Sequence, residues 1–100
     1  MRGIVTDMRI TVNVVLRLAE HPDFSIECVL DTAFRGALAL PPQAVTALNL
    51  PHLYDIDANL ANNMVQRTPL HSATIVWEGQ ELLVTVLAMG SRPLLGTALL

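Results

Sequence analysis

CVLDTAFRGALALPP, residues 28–42, joins an apolar approach, a carboxylate, a turn-capable stretch and a second apolar run. Cys28, Val29 and Leu30 read as the end of a strand that closes at Asp31. After Gly36 the run ALAL, 37–40, reads as a short strand stopped by Pro41-Pro42. A carboxylate at the margin of a core is costly unless something holds it or uses it. Taken alone, Asp31-Thr32 is a strand-end carboxylate capping a turn. Its surroundings must decide between that reading and chemistry.

On the N-terminal side, the even positions from Met8 to Leu18 are apolar, and the odd ones are Arg9, Thr11, Asn13, Val15 and Arg17. This alternation predicts a strand with one buried face. AEHPD, 19–23, is a turn, and Phe24, Ile26, Cys28 and Leu30 line the inner face of a second hairpin arm. On the C-terminal side, PQAVTALN, 42–49, predicts a brief helix with Pro42 at its start and Asn49 as a left-handed stop. Residues 51–68 are the least regular part, with Asn62-Asn63 as a hairpin tip. ATIVW, 73–77, and ELLVTVLAM, 81–89, form another hairpin through Glu78-Gly79. Its second arm is apolar on both faces at 82–87, which places it in the middle of the structure. Strands of this length with one short helix predict an all-β barrel or sandwich in a single domain over residues 1–100.

The composition narrows the function. Six arginines and no lysine stand against nine acidic residues, for a net charge of −3. Without lysine there is no Schiff-base chemistry and no P-loop cation. The arginines are scattered, which argues against nucleic acid as a partner. No run approaches the roughly 20 apolar residues that span a bilayer, and the N-terminus lacks the apolar segment of a signal peptide. The expectation is a soluble, cytoplasmic chain without membrane contact. The single Cys28 excludes an intrachain disulfide and a multi-cysteine metal site.

An apolar strand ending in Asp-Thr-small, then Gly36, LALP and a short helix resembles the opening of a retropepsin-like aspartic protease domain, above all in its small bacterial single-domain members. IVWEGQE, 75–81, is similar to their Trp-x-Gly hairpin, and PLLG, 93–96, to their two-apolar-plus-glycine motif. The resemblance runs from about Gly3 to Leu100, and the separation of Asp31 from Gly96 is about that of the family. It implies a retropepsin-like barrel carrying one catalytic half-site per chain, completed in a homodimer that cleaves an extended peptide or protein substrate. Asp31 from each chain would form a dyad, with no metal and no organic cofactor.

The same resemblance assigns supporting roles. Thr32 would hydrogen-bond across the dimer, and the backbone at Ala33 would lie close to the carboxylates. Gly36, Leu94, Leu95 and Gly96 would pack the second motif beneath the loop, and Ala61, Asn62 and Asn63 would form a flap over the substrate. The family carries glycine where Ala33 stands and commonly Asp-Gly where Asn62-Asn63 stands. Its members continue past this point into a further strand that in retroviral relatives joins the dimer sheet, so the expected domain lacks that strand. An alternative of another class is the same fold as a catalytically silent dimerisation or peptide-binding module.

Other polar residues have plainer readings. Arg35 is a substrate contact, to backbone or to a carboxylate side chain, or else an exposed loop cation or dimer salt bridge. His52, Asp55 and Asp57 suggest a metal-assisted hydrolase only weakly, one histidine in a loop being a poor ligand set. His21 and His71 read as surface turn residues, Trp77 as core or hairpin packing, and Cys28 as a buried small hydrophobe.

Overall fold

The computed structural model describes residues 3–6, 9–59 and 63–100. The chain is all-β apart from one short helix and a closing 3-10 turn, in the order β1 (Gly3–Thr6), β2 (Arg9–Arg17), β3 (Phe24–Leu30), β4 (Leu38–Leu40), α1 (Pro42–Ala47), β5 (His52–Asn59), β6 (Val65–Trp77), β7 (Gln80–Ala88) and β8 (Leu94–Leu95), with the turn at Thr97–Leu99. The strands hydrogen-bond in the order β1-β2-β3-β8-β4-β7-β6-β5. A further pairing, Val15 with Val76, Leu16 with Ile75 and Arg17 with Thr74, joins β2 to β6. That contact closes β2, β3, β8, β4, β7 and β6 into a ring, with β1 and β5 outside it. Ring closure removes the unpaired edges of those six strands.

The alternation read in β2 and β3 turns inward except at the strand starts, where Ile10 and Phe24 are 43% and 46% exposed. Val12, Val14 and Leu16 are buried, as is Cys28, with Ile26 and Leu30 packed against them. Burial, with a smaller push from the neighbouring Glu27 carboxylate, raises the Cys28 thiol to about 12, so it stays protonated and unreactive at neutral pH. All three residues of β4 are buried, because β4 lies between β8 and β7. Pro42 begins α1, Val45 anchors it in the core, and Asn49 ends the segment at φ 53°. Glu78 and Gly79 have φ of 51° and 81°, the signs that a tight two-residue hairpin turn requires. Trp77 packs against the core.

Three expectations need correction. Residues 51–68 are not irregular throughout: His52–Asn59 is a strand, and β6 begins at Val65. This strand hides from pattern reading because most of its side chains face water. Second, β7 is central in the strand order but not apolar-buried on both faces. Val84, Val86 and Ala88 point in, whereas Leu83 is 72% exposed and Leu82 40%. Third, His71 is not in a turn. It lies half-buried in β6, where its Nδ1–H donates to the Leu50 carbonyl at 3.1 Å and its ring meets His52 edge-on at 5.2 Å. Among the described residues no helix is long and apolar enough to cross a membrane.

Candidate functional site

Asp31 occupies the first position after β3, where the chain leaves the closed ring of strands. Its N–H donates to the Leu95 carbonyl at 2.9 Å, which carries the β3–β8 pairing one step past the strand. The Phe34 N–H returns to the Asp31 carbonyl at 3.1 Å and closes a turn over Thr32 and Ala33. Within that turn the Ala33 N–H donates to Asp31 Oδ1 at 2.9 Å. One carboxylate oxygen is thus oriented by main chain alone, the local side-chain-to-backbone bond that aspartate makes readily in turns. The carboxyl group is half-exposed, and among the described residues Oδ2 has no hydrogen-bond partner. Thr32, Ala33 and Arg35 are exposed.

Beneath this loop β8 lies parallel to β3 and antiparallel to β4. The loop that joins β3 to β4 therefore spans the end of the strand held between them. Leu94 pairs with Val29 and Ala39, and buried Leu95 with Leu30 and Leu38. The chain leaving β8 is then stitched to the loop. Gly96 N–H donates to the Ala37 carbonyl at 2.8 Å, Thr97 N–H to the Phe34 carbonyl at 2.9 Å, and Ala98 N–H to the Gly36 carbonyl at 3.2 Å. The Thr97 hydroxyl adds a bond to the Phe34 carbonyl at 3.3 Å.

The glycines at this crossing have a steric reason. A Cβ on Gly96 would lie far inside contact distance of the Gly36 carbonyl oxygen, and 2.7 and 2.8 Å from Phe34 Cδ2 and O. A Cβ on Gly36 would meet the Phe34 ring at 2.6 and 2.7 Å. Both positions are glycine because backbone and ring approach so closely. Phe34 and Thr97 do not stand out from the sequence. An aromatic residue two before a glycine in a loop of small residues is the available sign for Phe34. For Thr97, one threonine after the glycine motif carries none.

The structure thus brings Asp31, Gly36, Leu95 and Gly96 together, with Thr32, Ala33 and Arg35 on the open side of the same loop. Ala61 and Asn62 lie outside the described residues, and Asn63 is exposed with φ 62°, a conformation asparagine tolerates. The His52–Asp57 stretch does not assemble a metal site. His52 Nε2 meets Asp55 Oδ1 at 3.0 Å, whereas Asp57 faces Arg67 at 3.7 Å. Among the described residues no three ligating side chains converge. A cleft of about 420 Å³ lies between the β2–β3 turn, residues 48–51 and Ser72–Thr74. It sits at the far end of β3 from Asp31, roughly 20 Å away along the strand, and holds no part of the loop.

No family model, curated protein or solved structure matches the chain.

Proposed function

We propose that the chain is one half of a homodimeric, retropepsin-like aspartic endopeptidase acting in the cytoplasm. The observation that carries the reading is the Asp31 carboxylate. It is half-exposed at the mouth of a rigid crossing, one oxygen oriented by the Ala33 N–H and the other open. A carboxylate serving only as a turn cap does not need a backbone held from beneath by Leu95, Gly96, Thr97 and Ala98.

One carboxylate does not complete the chemistry, and a two-fold axis beside the loop would supply the second. Two carboxylates within a few ångströms share a proton, because both ionise only at high electrostatic cost. The ionised partner takes a proton from a water molecule, which attacks the scissile carbonyl. The protonated partner donates to the carbonyl oxygen as it gains charge. The carboxyl that took the water proton then passes it to the leaving nitrogen, the C–N bond breaks, and the gem-diol hydroxyl returns its proton to the other carboxylate as the carbonyl re-forms. This chain's part is to hold Asp31 still, which the loop's main-chain bonds do without any side-chain partner. Thr32, exposed and with no hydrogen-bond partner of its own among the described residues, is available to the second chain. The substrate would lie extended across the two loops.

The test is a peptide library incubated with the protein from acidic to neutral pH and read by mass spectrometry. Asp31→Asn should lower cleavage by about 10²–10⁴-fold, the usual weight of a general acid–base group. It should leave the fold intact, because asparagine still presents an oxygen to Ala33 N–H. Ala33, standing where the family has glycine, favours one other reading, a silent peptide-binding or dimerisation module. Peptide capture without turnover by a proven dimer would establish that module and end the protease reading.

A further inference from the structure

We propose that Arg35 selects peptides carrying an aspartate or glutamate close to the scissile bond, an inference that rests on the protease reading of Asp31. Arg17 is bound to Asp23 at 3.1 Å and to Glu81 at 2.6 Å, and Arg67 faces Asp57. Arg35 is exposed and has no hydrogen bond or ion pair among the described residues. Its position is nevertheless well defined. The carbonyls of Phe34 and Gly36, on either side of it, are held by Thr97 and Ala98, and the Phe34 ring fills the space against Gly36 and Gly96. Arg35 is therefore the cation of a rigid backbone on the open side of the loop.

The distance suits a flanking side chain of the substrate. The turn bond from Phe34 N–H to the Asp31 carbonyl keeps those two Cα atoms within about 7 Å, and one further Cα step of about 3.8 Å reaches Arg35. In an extended peptide, side chains on one face recur about every 7 Å. A carboxylate one or two residues from the cleaved bond thus falls within reach of the guanidinium, whose planar fork matches it. A symmetric dimer presents Arg35 twice, so the preference should appear on both sides of the scissile bond. The chain's net charge of −3 works against acidic peptides at long range, so the selection must be local. Arg92 supplies a control. It too is exposed, but it lies in the bend ahead of the N-terminal end of β8, whereas Asp31 follows the C-terminal end of β3, which runs parallel to β8.

The experiment compares pairs of peptides that differ only by glutamate against glutamine at positions flanking the cleaved bond. Binding is read with the Asp31→Asn protein and cleavage with the intact one, each with and without Arg35→Glu or Arg92→Glu. The expected result is a preference of about fivefold for the glutamate peptide, the upper range for an exposed ion pair. It should shrink in high salt, invert in Arg35→Glu and persist in Arg92→Glu. Equal binding of the two peptides, including none of either, overturns the inference, as does an equal response to the two arginine variants. Cleavage of both peptides at the same rate also removes it and leaves the protease standing. A binding preference that depends on Arg35, in a protein that cleaves nothing, supports carboxylate recognition and removes only the chemistry of Asp31.

Discussion

The crossing of residues 31–37 with 94–98 and the arm formed by β5 with residues 65–71 of β6 are both held by main-chain hydrogen bonds, yet they should respond to change very differently. At the crossing, each bond joins segments some sixty residues apart in sequence, and Gly96 touches the Gly36 carbonyl and Phe34 with no space between. In the arm, β5 and β6 pair through a regular antiparallel ladder from Tyr54–Leu70 to Asn59–Val65, and most side chains lie in water. The ladder repeats, so losing one side-chain contact leaves its neighbours intact. The crossing happens once, and one misplaced atom moves everything bound to it, including Asp31. Precision is concentrated at the loop that carries Asp31, and tolerance where β5 lies outside the closed ring.

Gly96→Ala should break this contrast most severely. The new methyl group meets backbone on one side, which cannot turn away, and Phe34 on the other. Overpacking of this kind costs about 3 kcal/mol or more. For a domain of this size that lowers Tm by about 15 °C, measured by circular dichroism. A variant that melts within a degree or two of the parent would show that the two segments are not in contact.

Gly36→Ala should be milder, because the obstacle is the far end of a side chain. Phe34 Cζ and Cε1 lie 2.6 and 2.7 Å from where the methyl group would stand, and the backbone at Gly36 is outside the left-handed region, so alanine adds no conformational strain there. A cost of about 1–2 kcal/mol is expected. In a Phe34→Leu background the ring edge is gone, and the same substitution should cost under about 0.5 kcal/mol. The difference is a coupling energy measurable by denaturant unfolding of the four proteins. Additivity across that cycle would remove Phe34 from the explanation of why Gly36 is a glycine.

The same contrast explains which parts of the molecule are legible in the sequence. Asp31, Gly36 and Gly96 announce themselves because close approach and turn geometry admit few residue types. Pro42, Asn49 and Gly79 do so because φ restricts them. The inner faces of β2 and β3 are readable because one side of each strand is dry. The arm offers neither sign. Its β5 carries His52, Leu53, Tyr54 and Asp55 in succession, all exposed, so the period of two has nothing to report. In β6 the buried positions pass from Thr68 and Leu70 to Ala73 and Ile75. The strand moves from the arm into the ring and changes which face is covered, which breaks the alternation halfway. Pro69 sits in the middle of that strand, where a proline ordinarily argues against one. At Leu82 and Leu83 an apolar side chain is not a buried one. Composition cannot distinguish the two when a neighbouring layer is absent on one side.

The smallest effect belongs to the arm and tests its tolerance directly. Asp57 and Arg67 are opposite one another across β5 and β6, with Oδ1 3.7 Å from the guanidinium and side chains 64% and 71% exposed. Such a pair gains little over hydration and is screened by salt. Asp57→Asn should therefore cost no more than about 0.5 kcal/mol, and that small loss should vanish at ~1 M salt, where the Debye length falls to about 3 Å. Thermal melts at low and high salt suffice to see it. A loss above ~1 kcal/mol that survives high salt cannot come from a solvated ion pair. It would mean that Asp57 is held by a surface docked onto the arm, and the arm would then belong with the crossing among the parts of the molecule that a single atom can disturb.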